Sequence, residues 1–201
     1  MTKAEFLFDF GSPNAYLSGR VIAGIEARTG VTFDYVPVLL GGIFKATGNK
    51  SPMEAYGHVA PKFAYDQLET QRFITRHGLV DFSFNPHFPV NTVMLMRGAV
   101  FAKREGFLPA YFDVAAAAMW EKGLKMDDAE IFAQALTDGG LDGAAILAAT
   151  QDQAIKDELK SSTEAAVARG VFGIPTFFVG DEMFFGKDKL RDVEDEITTQ
   201  S

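Results

Sequence analysis

Ser12 is the residue whose type and position best suit chemistry. It follows Gly11 at the end of an aromatic stretch and precedes Pro13. Serine is a preferred N-cap, and proline fits the first helical position because its missing N–H would have no partner there. A helix N-terminus carries positive partial charge, so the Ser12 hydroxyl could donate a hydrogen bond to an anion bound above it. Ser12 could equally be an N-cap and nothing more, and the three histidines have no spacing that would complete a Ser-His-Asp set.

A second candidate is the segment Gly173–Thr176, which contains Ile174-Pro175 and precedes a predicted strand. An X-Pro bond in a tight bend is sometimes cis. A cis bond here would leave the N–H and C=O of Ile174 free to pair with an extended ligand. The alternative is an ordinary trans proline at the first residue of a strand, where proline is tolerated.

The elements around Ser12 predict a βαβ unit. Glu5–Phe10 is an aromatic-rich strand, a helix runs from Ser12 to Gly30, and Val31–Leu40 is a second strand. Two strands joined by one helix should be parallel. The next stretch, Gly41–Pro61, is punctuated by glycine and proline, which predicts a loop with room for one short helix.

The remainder of the chain predicts a helical block followed by a hairpin and a last helix. The predicted helices are Pro61–His77, Thr92–Glu105, Pro109–Glu121, Asp128–Asp138, Asp142–Thr150 and Gln151–Gly170. Thr176–Val179 and Glu182–Phe185 are strands joined by a two-residue turn, and a final helix runs from Lys187 to Ile197. The predicted fold is α/β, with residues 1–45 and 160–201 forming a sheet domain and residues 46–159 forming a helical insertion.

Composition excludes several classes of function. The net charge of −8 argues against a nucleic-acid or anionic-membrane partner, since both are bound through clustered lysine and arginine. Cysteine is absent, so the chain has no disulfide, no thiolate nucleophile and no cysteine-ligated metal, and we expect no metal site. Any thiol must come from a bound small molecule. No secretion signal or membrane-length apolar stretch is legible, so we expect a cytoplasmic protein.

Four motifs in order carry a resemblance to a known family. Residues 8–17 read FDFGSPNAYL, residues 48–50 read GNK, residues 172–176 read FGIPT and residues 185–188 read FGKD. Together with the element order, they resemble 2-hydroxychromene-2-carboxylate isomerases and the related kappa-class glutathione transferases. These belong to the disulfide-oxidoreductase branch of the thioredoxin superfamily, which has an inserted helical domain. In that branch a Cys-x-x-Cys pair occupies the positions of Ser12 to Ala15 here.

The resemblance implies a glutathione site. Ser12 would hydrogen-bond the glutathione sulfur and hold it as the thiolate, and the backbone of Ile174 would pair with the cysteinyl part. The other residues implied are Asn49, Lys62, Pro175, Gly186, Lys187 and Asp188. Of these, Asp188 would pair with the γ-glutamyl ammonium and Lys62 with the glycine carboxylate, although Lys62 could equally be a solvated helix charge. Many family members have a small hydroxyl residue or asparagine where this chain has Lys187.

The same resemblance implies a small, apolar, aromatic second substrate. Its expected contacts are Phe44, Asn49, Phe88 and Trp120, although Trp120 suits a core position equally well. Three functions remain open: a glutathione-dependent isomerase that interconverts 2-hydroxychromene-2-carboxylate and trans-o-hydroxybenzylidenepyruvate, a kappa-like glutathione transferase, and a non-catalytic binding module. Family members often form homodimers, and we expect one here.

Overall fold

The computed structural model describes residues 2–200, and its centre is a four-stranded mixed sheet. The strands are β1 (Ala4–Phe8), β2 (Phe33–Pro37), β3 (Thr176–Val179) and β4 (Glu182–Phe185), in the order β2-β1-β3-β4. β1 is parallel to β2, whereas β1–β3 and β3–β4 are antiparallel. The predicted parallel pair, the hairpin and the α/β class are all confirmed.

Ten α-helices surround the sheet within residues 2–200. They are α1 (Pro13–Thr29), α2 (Leu40–Thr47), α3 (Pro52–Tyr56), α4 (Ala60–His77), α5 (Val93–Arg104), α6 (Leu108–Trp120), α7 (Ala129–Asp138), α8 (Gly143–Ala149), α9 (Gln153–Ala168) and α10 (Leu190–Gln200). A 3-10 turn, Lys187–Lys189, precedes α10. No helix in this part of the chain is both long and apolar enough to cross a membrane.

The prediction that residues 41–61 form a loop with room for one short helix is wrong, because two helices, α2 and α3, and the start of α4 occupy most of that stretch. Two glycines at the start of α2 are tolerated because Ile43 is fully buried in the core. Ser51 and Glu54 form a capping box that begins α3. Tertiary burial and capping therefore outweigh the low helix propensity of glycine.

The proposed division at residues 45/46 and 159/160 cuts through two helices. The first boundary falls inside α2 and the second inside α9. The two-part division therefore stays a prediction.

An aromatic core fixes the end of β1, from which the chain enters α1. Phe6 and Phe8 are fully buried on β1, and Phe112 of α6 lies edge-on to both rings. Beyond the strand, the indole N–H of Trp120 donates to the carbonyl of Phe10 at 2.8 Å. Burying a phenylalanine side chain contributes about 1.5–3 kcal/mol, so this cluster is a large share of the sheet's stability. The start of α1 therefore rests on the rigid part of the molecule.

Candidate active site at the start of helix α1

Ser12 is the N-cap of α1, as predicted. Its backbone is extended, with φ −100° and ψ 113°, and its Oγ accepts from the N–H of Ala15 at 3.2 Å. The Ser12 hydroxyl donates to the carbonyl of Ile174 at 3.1 Å. That bond joins positions 162 residues apart. The two features singled out in the sequence therefore meet at one place.

The segment around Ile174 brings in two further predicted residues. The Ile174–Pro175 peptide bond is cis, and the N–H of Gly186 donates to the carbonyl of Pro175 at 2.9 Å. The side-chain amide of Asn49 donates to the carbonyl of Phe172 at 2.8 Å. Ser12, Asn49 and Gly186 thus each donate to a backbone carbonyl of the segment that contains Ile174 and Pro175.

Lys187 and Asp188 form an ion pair at the 3-10 turn before α10. The Lys187 Nζ lies 2.7 Å from Asp188 Oδ1 and 5.3 Å from the ring centre of Phe73 on α4. Lys187 is buried, whereas the Asp188 side chain is 73% exposed. A ligand ammonium at Asp188 would therefore have to share this carboxylate with Lys187.

Lys62 lies on α4, and no contact links it to Ser12. Its Nζ is 3.1 Å from Asp66 Oδ2 and 5.0 Å from the ring centre of Tyr56, and its side chain is 41% exposed. These surroundings fit the alternative of a solvated helix charge. A role at the glycine carboxylate stays a prediction.

A cavity of about 910 Å³ opens beside the start of α1. It lies between α1, α3, α4 and the segment 78–84. Its lining residues are Pro13, Asn14, Met53, Phe63, Asp66, Gln67, Thr70, Gln71, Ile74, Thr75, Gly78, Val80, Phe82 and Phe84. This volume suits a small-molecule ligand. Because Pro13 and Asn14 directly follow Ser12, such a ligand would lie next to the Ser12 turn.

The predicted substrate contacts lie behind or outside the described lining of this cavity. Trp120 is fully buried, and its indole packs against Phe82 and Phe84, which do line the cavity. This placement matches the core alternative. Phe88 packs on the ring of Phe84 at 5.1 Å and supports the wall from the side. Phe44 is half-buried on α2 and is not among the lining residues.

The aromatic rings that line the cavity were not predicted from the sequence. Val80, Phe82 and Phe84 alternate with polar residues between α4 and α5, and this alternation was the available signal. This signal was overlooked because the stretch was interpreted as a break between two helices. Asn14, on the first turn of α1, was quoted only as part of a motif.

Asp9 is a buried carboxylate that the sequence analysis also missed. It is fully buried and accepts from the N–H of Gly11 at 2.8 Å and from the N–H of Leu40 at 2.7 Å. Burial raises the pKa of Asp9, and the bonds from Gly11, Thr92 and Leu40 oppose that shift. Asp9 thereby ties the Ser12 turn to the starts of α2 and α5, which makes it a positioning residue.

Tyr16, one turn into α1, joins this helix to α6. Its hydroxyl donates to Glu121 Oε1 at 2.9 Å, and Arg20 Nη2 lies 2.7 Å from the same oxygen. Burial raises the pKa of Tyr16 to about 12, so the phenol keeps its proton at neutral pH. The Tyr16 ring also packs on Phe82 at 5.6 Å and supports the cavity wall from behind.

Comparisons with known proteins agree with the fold. The family model described as "DSBA-like thioredoxin domain" matches residues 4–198. The chain is 29% identical over 186 residues to a 2-hydroxychromene-2-carboxylate isomerase of Pseudomonas putida, covering 92% of this chain and 89% of the relative. It is 25% identical to human glutathione S-transferase kappa 1 over 207 residues, covering 93% of this chain and 87% of the relative.

A solved structure is similar over nearly the whole chain. It is a selenomethionine form of 2-hydroxychromene-2-carboxylate isomerase, with a TM-score of 0.84 and 28% identity, covering 98% of this chain and 95% of that one. A probable DsbA oxidoreductase from Streptomyces coelicolor, at 19% identity and a TM-score of 0.75, shares the fold. The resemblance found in the motifs is confirmed, and the chain belongs to the DSBA-like thioredoxin domain family.

Proposed function

We propose that the chain is a glutathione-dependent isomerase. It would interconvert the cis and trans forms of a small aromatic α,β-unsaturated carbonyl compound. The names of its relatives point to 2-hydroxychromene-2-carboxylate as one member of the pair, and the family resemblance implies trans-o-hydroxybenzylidenepyruvate as the other. The observation that carries the proposal is the Ser12 hydroxyl, which is held at the start of α1 by the carbonyl of Ile174 and directly precedes the cavity-lining residues Pro13 and Asn14.

The groups around Ser12 fit a zwitterionic tripeptide that carries a thiol. The Ile174 N–H donates no hydrogen bond to any residue among 2–200, which leaves a backbone group for an extended ligand. Asp188 and Lys187 offer one charge of each sign near Gly186. The fit requires the Ser12 hydroxyl to turn from the Ile174 carbonyl toward the sulfur.

Glutathione, when bound, would supply a thiolate that adds reversibly to the substrate double bond and so lets that bond rotate. The protein's own contribution would be to stabilise the thiolate of glutathione relative to its thiol. The Ser12 hydroxyl would donate a hydrogen bond to it, and the positive end of α1 would act in the same direction. A free thiol of pKa about 8.5 is only a few per cent ionised at neutral pH, so a lower pKa raises the reactive fraction.

The cavity would hold the second substrate. Phe82 and Phe84 form an apolar part of the wall of the same cavity that Asn14, two residues from Ser12, also lines. If the aryl ring of the substrate packed against that wall, the unsaturated chain of the substrate would lie near the start of α1. Cis–trans rotation involves no net oxidation, which fits a chain without cysteine.

A kappa-like transferase is the second candidate, and the similarity to human glutathione S-transferase kappa 1 favours it. Both functions use the same thiolate. They differ in stoichiometry, since an isomerase regenerates glutathione and a transferase consumes it. The test is to supply glutathione at one-hundredth of the substrate concentration. Conversion that continues to the equilibrium mixture, far beyond one equivalent of glutathione, would support the isomerase, and a halt after one equivalent would support the transferase.

Calorimetry with glutathione tests the binding step shared by both enzymes. We expect uptake at millimolar or lower concentration. No uptake would contradict both. The expected homodimer is a separate proposal, which light scattering on the purified chain would test.

A further inference from the structure

Trp120, the only tryptophan in the chain, contacts both parts of the candidate site. Its side chain is fully buried at the end of α6, and its indole N–H donates to the carbonyl of Phe10, two residues before Ser12, at 2.8 Å. The same indole lies 6.1 Å from the ring centre of Phe82 and 5.8 Å from that of Phe84, and both of these rings line the cavity. These spacings are those of interacting aromatic pairs.

Backbone hydrogen bonds also fasten the cavity wall to the end of α6. The N–H of Ser83, which lies between the two lining phenylalanines, donates to the carbonyl of Trp120 at 2.7 Å. The buried amide of Asn85 donates to the carbonyl of Met119 at 2.9 Å. The wall and the indole therefore form one packed unit.

The Ser12 turn has further ties that do not involve Trp120. The N–H of Ser12 donates to the carbonyl of Asp9 at 3.0 Å, and the N–H of Gly11 donates to Asp9 Oδ1 at 2.8 Å. The Ser12 hydroxyl donates to the carbonyl of Ile174 at 3.1 Å. Loss of the indole N–H would therefore leave the hydroxyl in place and would remove a link between the turn and the wall.

That link matters because addition of a thiolate to a double bond needs the reacting atoms about 3–3.5 Å apart, and a misplacement of about 1 Å can cost about 10²-fold in rate. Under the proposed function, the sulfur lies at Ser12 and the aryl ring of the substrate packs against Phe82 and Phe84. The separation of the reacting atoms then depends on how the wall is held relative to the turn. Phe84 is 52% exposed, so packing from its solvent side contributes little.

We propose that Trp120 is a positioning residue that holds the double bond of the substrate at the distance from which the thiolate attacks. It contacts neither reactant and acts through the Phe10 carbonyl and the two wall rings. The inference rests on the proposed function for the identity of the reacting atoms. It separates Trp120 from Ser12, because loss of the indole should lower the rate while the thiolate stays stabilised.

The indole N–H resonance tests the link without any turnover. A single tryptophan gives a single indole cross-peak in a proton–nitrogen correlation spectrum. The probe is 4-(2-hydroxyphenyl)-2-oxobutanoate, which keeps the carboxylate of the expected substrate but has no double bond for a thiolate to attack. Because Trp120 is fully buried, the probe cannot touch it. We expect saturation with the probe, established by calorimetry, to move the cross-peak.

Trp120→Phe tests the consequence for the reaction. It keeps a ring behind the wall but removes the N–H, and should lower kcat about 10–100-fold while KM and glutathione affinity change by less than about three-fold. The bound thiol should titrate as it does in the wild-type complex. Replacement of Trp120 by β-(3-benzothienyl)alanine keeps the size of the indole without its N–H, and should give the same pattern if phenylalanine leaves too large a void for folding.

Tyr111→Phe is the matched control on α6. Tyr111 is also fully buried, and its hydroxyl donates to the carbonyl of Leu95 at 2.7 Å. It is not among the residues that line the cavity. Its removal breaks a buried hydrogen bond to a backbone carbonyl, as Trp120→Phe does, yet kcat should stay within about two-fold of the wild-type value.

Four results would overturn the inference. They are a cross-peak that stays in place, a probe that fails to bind at millimolar concentration, equal losses of kcat in the tryptophan and tyrosine variants, and a rate loss in Trp120→Phe that comes with a changed pKa of the bound thiol. Glutathione uptake and turnover are measured on the same wild-type sample. Their absence would contradict the proposed function, and the cross-peak would then judge the link between wall and turn separately.

Discussion

The two sides of the candidate site are built in different ways. On the side of Ser12, buried groups from distant parts of the chain are tied together: Ser12 to Ile174, Asp9 to Leu40, and Trp120 to Phe10. On the side of α4, Phe73 is the one buried residue of an 18-residue helix. Within residues 2–200, no side-chain hydrogen bond joins α4 to another element.

Under the proposed function, the Ser12 side would carry the chemistry and the α4 side would set the substrate specificity. A reacting group must be held to within a fraction of an ångström, and the aromatic core and long-range hydrogen bonds around Ser12 do that. A wall that only shapes a cavity can be exposed and loosely packed, as α4 and segment 78–84 are. Substitutions on the first side should therefore alter rate or stability, and those on the second side should alter affinity.

The largest effect is expected for Ser12→Ala. Removing one donor from a developing or bound anion costs about 10²–10³-fold in turnover, and we expect a loss in this range. The lost N-cap should lower the free energy of unfolding by about 1 kcal/mol, and the lost hydrogen bond to the Ile174 carbonyl by about 1 kcal/mol more, so the fold survives. Initial rates and chemical denaturation on the same preparation would separate the two effects.

Ser18→Ala is the matched control on the same helix. The Ser18 hydroxyl is buried and has no hydrogen-bond partner among residues 2–200. Its removal should leave both turnover and stability nearly unchanged. Equal losses of activity in the two variants would show that any serine change in α1 disturbs the enzyme, and would end the case for Ser12.

A pair of glycines tests the rigidity of the Ser12 side. A Cβ at Gly19 would lie 2.4 Å from the Phe112 ring, so Gly19→Ala should destabilise the fold by about 1–3 kcal/mol through overpacking. At Gly24 the nearest group is the flexible end of Arg28, at 3.3 Å. Gly24→Ala should stabilise α1 by up to about 1 kcal/mol. Urea unfolding measures the change in unfolding free energy for both variants. Changes of the same sign would contradict the close contact between α1 and Phe112.

Phe84→Ala, on the cavity side, should change substrate affinity rather than stability. The ring is 52% exposed, so we expect little change in unfolding free energy. Loss of the aromatic wall should raise KM about ten-fold, since part of a phenylalanine contact is worth about 1–2 kcal/mol, while kcat falls much less. A fall in kcat with KM unchanged would place Phe84 in the chemical step instead.

The smallest effect is expected for Lys62→Gln. Exposed ion pairs such as Lys62–Asp66 contribute about 0–1 kcal/mol. Glutathione affinity measured by calorimetry should then change by less than about two-fold. A ten-fold loss would instead support the contact with the glycine carboxylate that the family resemblance implies.

Local signals in the sequence were sufficient to predict the sheet and the start of α1. The hairpin strands Thr176–Val179 and Glu182–Phe185 have the bounds predicted from one Gly-Asp turn, and Ser12 is the N-cap. Where glycine lies inside an element, as in α2, burial decides the outcome and the prediction failed. A burial pattern of this kind depends on the whole fold.

The candidate site likewise contains residues that local motifs predicted and residues that only the tertiary fold places. Residues placed by a local motif, such as Ser12, Ile174 and Gly186, are found together. The cavity wall was not predicted, because α4 and segment 78–84 meet α1 only in three dimensions. The carboxylate of Asp9 was overlooked for a similar reason, since its partners Leu40 and Thr92 are far from it in the sequence.

The pKa of the glutathione thiol, bound to the wild-type chain and to Ser12→Ala, tests the central claim most directly. It is read from the ultraviolet absorbance of the thiolate as pH is raised. We expect the wild-type chain to lower that pKa by about one unit or more from the free value near 8.5, and we expect Ser12→Ala to lose most of this shift. A bound thiol that titrates at the free value, or equally in both proteins, would contradict the account.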